Sequence, residues 1–229
     1  MMDNRRLFNW TAWGYDFITR QEIWREQIRQ TLTYAQDPQG LEEVLDLGCG
    51  PGISTFVFGE ALVDAKIVGV DVAEKMIRRA RAHHLTSYSH LENVKFDRAD
   101  VYDLPFEAES FDLAVGHSFL YLLPDRLNAL RSILEVLRPG GILVLMEPNA
   151  EGTVAQALRH VEGRRWLRSP FAAGRFATSM VMWRIVSRSQ GQLRKDELEG
   201  LFEGAGFYGC HVQPTLGGLG LHAVGKKRG

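Results

Sequence analysis

The sequence predicts an α/β fold: a doubly wound sheet of about seven strands, mostly parallel with an antiparallel last strand, together with an N-terminal helical segment and a late helical insert. Three observations predict it. Short apolar runs at 44–47, 66–71, 111–116 and 142–146 alternate with segments of helical period, the pattern of strands buried on both faces of a parallel sheet. The first run passes directly into Gly48, Gly50 and Gly52, and residues without a Cβ let a chain turn tightly and lay its backbone against a ligand. Acids stand at the strand tips, Asp46, Asp71 and Asp100, on the carboxyl edge where open α/β sheets hold their ligands.

Composition narrows the class. A length of 229 residues suits one domain, 1–229, and a hydrophobic fraction of 45% is enough for a sizeable core. With a net charge of −1, no global field draws the chain to nucleic acid, and no nucleic-acid partner is expected. The opening residues lack the apolar stretch of a secretory signal, and no run approaches the roughly 20 residues of a spanning helix. Two cysteines, Cys49 and Cys210, offer neither a disulfide framework nor a metal cluster. The expectation is a cytoplasmic protein without a metal.

The organising stretch is Val44-Leu45-Asp46-Leu47-Gly48-Cys49-Gly50-Pro51-Gly52, followed by a helix start at Ile53. A dinucleotide fingerprint would read G-x-G-x-x-G, but Ile53 stands where its third glycine would fall. A carboxylate at Asp46 would repel a pyrophosphate and suits the α-ammonium of an amino-acid-like ligand. Through Asp46-Leu-Gly48-Cys-Gly50-Pro-Gly52 the chain resembles the class I S-adenosylmethionine (SAM)-dependent methyltransferases, of the quinone-biosynthesis and small-molecule type. The resemblance covers roughly residues 5–225. It implies a Rossmann-like fold, SAM as cofactor with S-adenosylhomocysteine as product, and cofactor contacts from Asp46, Gly48, Cys49, Gly50 and Gly52. Cys49 reads as a small residue that fits the loop, not a nucleophile. A purely structural glycine turn is the alternative.

Residues 5–40 form an N-terminal helical cover. Trp24, Ile28, Thr31 and Leu32 share one face of an amphipathic helix, and Asp37-Pro38-Gln39-Gly40 breaks it. Upstream, Phe8-Asn9-x-x-Ala12-x-x-Tyr15-Asp16 resembles the entry segment of quinone-type methyltransferases, which implies that Tyr15 borders the methionine end of SAM. The aromatics there could equally fasten the helix to the sheet.

Residues 41–150 make up the SAM-binding core. The second strand ends on Asp71, 25 residues after Asp46 and placed to accept both ribose hydroxyls. Glu74 three residues later suggests a capping box at the same aspartate. Val72 and Met76 follow as adenine-side residues, although a methionine on such a helix also suits the core. The next strand runs from Val94 to Val101, and the resemblance implies that Asp100 and Val101 receive the adenine amino group; a turn aspartate is the alternative at Asp100.

The fourth strand delivers Gly116, His117, Ser118 and Tyr121 to the carboxyl edge. The Gly116–His117 backbone faces the SAM amino group on this reading. His117 and Tyr121 are the catalytic candidates, His117 first as a general base, with a pocket-wall histidine as the alternative. His83, His84 and His90 read as surface residues. A helix with Leu127, Leu130, Leu134 and Leu137 on one stripe ends at Arg138-Pro139-Gly140-Gly141. A fifth strand, 142–146, then leads to Glu147, a second base candidate or a solvated strand-end acid.

Residues 151–190 interrupt the pattern with seven arginines against two glutamates, interleaved with aromatics and methionines. In the resembled family this is the place of an inserted substrate lid. Its composition suits a flat or anionic small-molecule acceptor, or seating on an anionic membrane surface. Residues 191–229 add a helix and a strand pair, the glycine-rich link at Gly217, Gly218 and Gly220 fitting a hairpin.

The implied chemistry is transfer of a methyl group to O, N or C of a small molecule, mainly by positioning and exclusion of water. Two alternatives stay open: a membrane-surface methyltransferase of quinone or phospholipid head groups, with peripheral membrane contact, and a non-catalytic SAM-binding regulatory protein.

Overall fold

The computed structural model describes residues 22–35, 37–160 and 170–229. Seven strands form one sheet in the order β3-β2-β1-β4-β5-β7-β6. They span β1 Glu43–Leu47, β2 Lys66–Asp71, β3 Val94–Arg98, β4 Phe111–His117, β5 Leu137–Pro148, β6 Tyr208–Thr215 and β7 Gly220–Lys226. Strands β1 to β5 pair in parallel, and β7 runs antiparallel to both β5 and β6. The expected seven-stranded, mostly parallel sheet with an antiparallel last strand is therefore present.

Seven helices accompany it among the described residues: α1 Glu22–Thr31, α2 Ile53–Ala61, α3 Glu74–Ser87, α4 Arg126–Val136, α5 Val154–His160, α6 Pro170–Gln190 and α7 Lys195–Ala205. The alternation of side chains along each strand sends Leu45, Leu47, Leu143 and Leu145 to one face, where they pack with α4 and α7. Val44, Leu113, Val115 and Val144 go to the other, under α1, α2 and α3. A third cluster joins Trp24 of α1, Met146 of β5, and Met180 and Trp183 of α6. Both faces are covered, which is why the central strands read as unbroken apolar runs.

Local differences from the sequence reading have physical causes. Helix α4 stops at Val136 and β5 already begins at Leu137, so the Arg138–Gly141 turn lies inside the strand's irregular start, where the register with β4 shifts. The buried stripe of α4 is Ala129, Leu130, Ile133 and Val136, while Leu127 and Leu134 lean toward Gly204 and Gly206 at the end of α7. Strand β3 ends at Arg98, short of Val101, because Asp100 opens a turn: its Oδ1 accepts from the Tyr102 amide at 3.1 Å.

Candidate functional site

Between β1 and α2 the chain turns through three left-handed residues, Gly48 (φ 64°), Gly50 (φ 54°) and Gly52 (φ 94°), a conformation that L side chains avoid. At Gly48 an added Cβ would also lie 2.8 Å from the Cβ of Phe119. The Cys49 amide donates to the Val70 carbonyl at 2.9 Å, and the Gly50 amide donates to Asp71 Oδ2 at 3.0 Å. The glycine loop is thus tied to the tip of β2. The Ala73 amide occupies Asp71 Oδ1 at 2.8 Å. Helix α3 begins only at Glu74, with Ala73 as its cap residue and no side-chain cap, so the expected capping box does not form. Each Asp71 oxygen accepts one amide, which leaves half of the carboxylate's acceptor capacity open.

Asp46 is 1% exposed. Its Oδ2 accepts from Ser54 Oγ and Thr55 Oγ1, both at 2.6 Å, from the first turn of α2. Its Oδ1 is buried with no partner. Burial, the largest influence, pushes the carboxyl up to about 6 against the lowering effect of the two hydroxyls. An unpaired carboxylate oxygen at this depth is costly unless a cationic donor reaches it, so the donor set fits the ammonium of an amino-acid-like ligand. Cys49 is buried and its thiol pushed well above the ordinary range by burial and by the Asp46 and Asp71 charges, which suits a small packing residue and not a nucleophile.

The remaining predicted residues separate into two groups. Val72, 51% exposed at the tip of β2, and half-buried Val101 flank the same edge, with the exposed Asp100 beyond β3. Met76 is 5% exposed, its side chain turned to protein. Tyr15 lies outside the described residues, as do the aromatics around it. His83 and His84, expected on the surface, are half-buried, with ring nitrogens 3.1 Å from the Pro51 carbonyl and 2.9 Å from the Leu91 carbonyl.

His117 and Tyr121 are not brought together. His117 ends β4 on the face shared with Phe58, their ring centroids 6.1 Å apart, whereas Tyr121 is buried in the opposite cluster with Leu45 and Leu143. Burial first, then the nearby Glu147 carboxylate, pushes the Tyr121 phenol well above its usual range, so it is a poor proton donor or base. Both ring nitrogens of His117 are buried and unpartnered. Burial, with a smaller contribution from His222, holds its pKa at about 3. A ring kept neutral in this way is a weak general base but an available hydrogen-bonding group.

Glu147, expected in solvent or acting as a base, is fully buried. Its Oε1 accepts from the amides of Phe119 (3.2 Å) and Leu120 (3.0 Å), and Oε2 from that of Tyr121 (3.2 Å). It fixes the loop that leaves β4, where Ser118 holds a left-handed φ of 58° and its Oγ accepts from Trp183 Nε1 at 3.1 Å. Helix α6 is thereby fastened over the end of β4, and Arg184 adds two bonds to the Asn149 and Ala150 carbonyls, at 2.6 and 3.0 Å. Of the arginines in 151–190, whose sequence leaves both solvent and an acceptor open, Arg184 is tied to backbone, while Arg159 and Arg188 are exposed.

A glycine loop linked to an acid on β2, with an unpaired acid beneath it, is matched by family. The model of a methyltransferase domain fits residues 39–203, most of the chain. The chain belongs to this methyltransferase family.

A demethylmenaquinone methyltransferase of Staphylococcus aureus is 27% identical over 91% of this chain and 83% of its own length. Among solved structures, a phosphoethanolamine N-methyltransferase of Haemonchus contortus bound to S-adenosylhomocysteine superposes with a TM-score of 0.71 at 15% identity; it covers all of this chain, which spans 61% of that one. A methyltransferase of Haloferax volcanii, in complex with a Trm112 activator, gives a TM-score of 0.66 at 21% identity, covering 96% of this chain and 97% of its own. At these identities the structures establish the methyltransferase fold. The family establishes SAM-dependent methyltransferase activity as the class of chemistry. Among the described residues, no cluster of three or more His, Cys, Asp or Glu is placed to hold a metal ion, and no helix is long and apolar enough to cross a membrane.

Sequence reasoning missed the loop-fixing role of Glu147 and the contacts by which Tyr34, after α1, meets Gln213 of β6 and His222 of β7. The signal for His222 was present: it is the polar residue at an inward position of an apolar, glycine-bounded strand.

Proposed function

We propose that this methyltransferase binds SAM through the β1 loop and the β2 tip and transfers its methyl group to O, N or C of a small-molecule acceptor. The observation that carries the reading is the buried, unpartnered Oδ1 of Asp46 beneath the glycine loop. It is suited to the α-ammonium, whose charge would offset the burial cost of the carboxylate. The open acceptor sites of Asp71 suit the two ribose hydroxyls. Gly48, Cys49, Gly50, Gly52 and the Gly116–His117 backbone line the path between them, and Val72, Asp100 and Val101 form the adenine side, with Met76 packed behind them in the core. Tyr15 is assigned to the methionine end, and 151–190 to a substrate lid.

SAM supplies an electrophilic methyl on a cationic sulfur that leaves as a neutral thioether. Held by Asp46, the glycine loop and Asp71, it would supply that methyl to the acceptor in exchange for one proton. What this chain contributes is positioning and the exclusion of water, with His117 on the pocket wall as a neutral hydrogen-bonding group. No metal is invoked, and a cytoplasmic site of action belongs to the same reading.

A second reading, a quinone-type acceptor met at a membrane surface, is favoured by the demethylmenaquinone relative and by one exposed face of α6. There Val181 (43% exposed) and Ile185 (64%) lie one turn apart, with exposed Arg188 beside them.

Calorimetric titration of S-adenosylhomocysteine into the wild type and Asp46→Asn tests the first reading. A clear loss of affinity in the variant supports it, and equal affinity removes Asp46 from the site. Liposome flotation with anionic vesicles, with and without salt, tests the second; absence of flotation at low salt counts against it.

A further inference from the structure

The four residues that leave β4, Ser118 to Tyr121, have no free backbone amide. Ser118 takes a left-handed φ of 58°, and its amide donates to the Met146 carbonyl at 2.7 Å. Glu147 accepts the next three amides. A buried loop fixed at every amide passes a displacement at one end to the other instead of absorbing it.

Helix α6 is joined to this loop at two points. Trp183, buried on α6, donates from Nε1 to Ser118 Oγ at 3.1 Å. Arg126 of α4 donates from Nη2 to the Tyr121 carbonyl at 3.3 Å and to the Gly191 carbonyl at 3.1 Å. Gly191 directly follows α6 and has a left-handed φ of 93°. Arg126 Nη1 pairs with Glu197 of α7 at 2.8 Å, which holds the guanidinium between the two carbonyls. On its other side the loop meets the glycine turn through one ring. A Cβ added at Gly48 would lie 2.8 Å from Phe119 Cβ, and one added at Gly116 would overlap the Phe119 ring. Phe119 thus packs against the backbone of Gly48, after β1, and of Gly116, near the end of β4. These are two stretches that the proposed function sets against the cofactor.

We infer that Trp183 and Phe119 are positioning residues of the cofactor site. Helix α6, held at Ser118, sets the Phe119 ring, and the ring sets the backbone of Gly48 and Gly116 against SAM. The inference rests on the cofactor reading above; in this role each residue acts through the backbone it holds and not by touching the cofactor. Linkage makes the effect reciprocal: what fastens α6 tightens cofactor binding, and bound cofactor tightens the seat of α6 by the same factor. Because α6 lies in the stretch proposed as the substrate lid, the state that holds SAM best is also the state with α6 fastened over the end of β4.

Calorimetric titration of S-adenosylhomocysteine across a double-mutant cycle tests this, with circular dichroism confirming each fold. Trp183→Phe keeps an aromatic ring in the cluster with Trp24 and Met146 and removes the N–H. It is expected to weaken S-adenosylhomocysteine about three- to tenfold, the range one neutral hydrogen bond allows. Phe119→Ala is expected to weaken it as well, and in that background Trp183→Phe is expected to cost less than about twofold. The 15N indole signal of Trp183, identified by its loss in Trp183→Phe, is expected to shift on saturation of the wild type and to stay in place in Phe119→Ala. Ser118→Gly suits the left-handed turn and removes only the hydroxymethyl group, so it carries the test even if Phe119→Ala does not fold. It is expected to match Trp183→Phe, with no further loss when the two are combined. Unchanged affinity in Trp183→Phe, an equal loss from it with and without Phe119, or full additivity with Ser118→Gly would overturn the inference. Failure of the wild type to bind S-adenosylhomocysteine would instead overturn the cofactor reading on which it rests.

Discussion

The Gly50 amide and Asp71 Oδ2 are 3.0 Å apart, so the loop after β1 and the tip of β2 form one hydrogen-bonded unit. Asp71 therefore both shapes the loop and presents its remaining acceptor sites beside it. Asp71→Ala is expected to weaken SAM binding by about tenfold or more while the protein remains folded, since a buried charge-assisted contact is worth roughly 1.5–3 kcal/mol. Calorimetry with circular dichroism on the same samples checks this. Unchanged affinity would take Asp71 out of the site.

Asp46 predicts a pH dependence. Its carboxyl titrates at about 6, raised by burial, and only the ionised form can pair with an ammonium. SAM affinity is expected to hold from pH 8 to 7 and to fall as pH drops through 6. Binding near pH 6 is expected to release protons, because the bound cation favours the carboxylate. Titrations in two buffers of different ionisation enthalpy read that release, and a flat profile with no proton release would contradict the pairing.

Glu147 accepts three backbone amides while fully buried. Glu147→Gln keeps the shape but turns an NH2 group toward at least one of those amides. A loss of about 1–3 kcal/mol is expected, read as a fall in Tm of several degrees for a chain of this size. A Tm equal to that of the wild type would show that the loop does not depend on this carboxylate.

His222, like His117, is held below the ordinary histidine value by burial. A base with a depressed folded pKa gives stability that is complete above about 6.5 and is lost as pH falls toward the folded value. For His222, with a folded value of about 4, the loss by pH 5 is on the order of 1–2 kcal/mol. Urea unfolding at pH 7 and pH 5 measures it. His222→Asn is expected to narrow the difference between the two pH values, and an undiminished difference would assign the acid sensitivity to other groups.

His117→Ala is expected to lower turnover with SAM affinity nearly unchanged. The nitrogens of His117 are unpartnered at the end of β4, and on the proposed reading the ring meets the acceptor while only the backbone there faces the cofactor. Normal turnover with a methyl-accepting substrate would leave proximity alone as the account.

The sheet was legible in the sequence because both of its faces are covered: strands buried twice leave continuous apolar runs, and 44–47, 66–71, 111–116 and 142–146 fall inside β1, β2, β4 and β5. The glycine loop was legible because its backbone needs residues without Cβ in left-handed positions. Side-chain partners were less so. The sequence shows Asp71 followed by Glu74, but not that the Ala73 and Gly50 amides take up the carboxylate before helix α3 begins. It shows Tyr121 four residues after His117, but not that the left-handed turn at Ser118, held by Glu147, sends the tyrosine to the opposite face. The pairing of His117 with Met146 and of Met146 with His222 joins residues more than 100 positions apart through β5, a relationship set by strand order and register and carried by no local motif.

The central claim is that the β1 loop, Asp46 and Asp71 form a SAM site. Native mass spectrometry of the purified protein, with SAM and S-adenosylhomocysteine titrated in turn, tests it most directly. Saturable binding of one molecule of each is expected, with loss in Asp71→Ala. Binding of neither by the folded wild-type protein would contradict the account and leave the glycine loop as a turn with a structural role only.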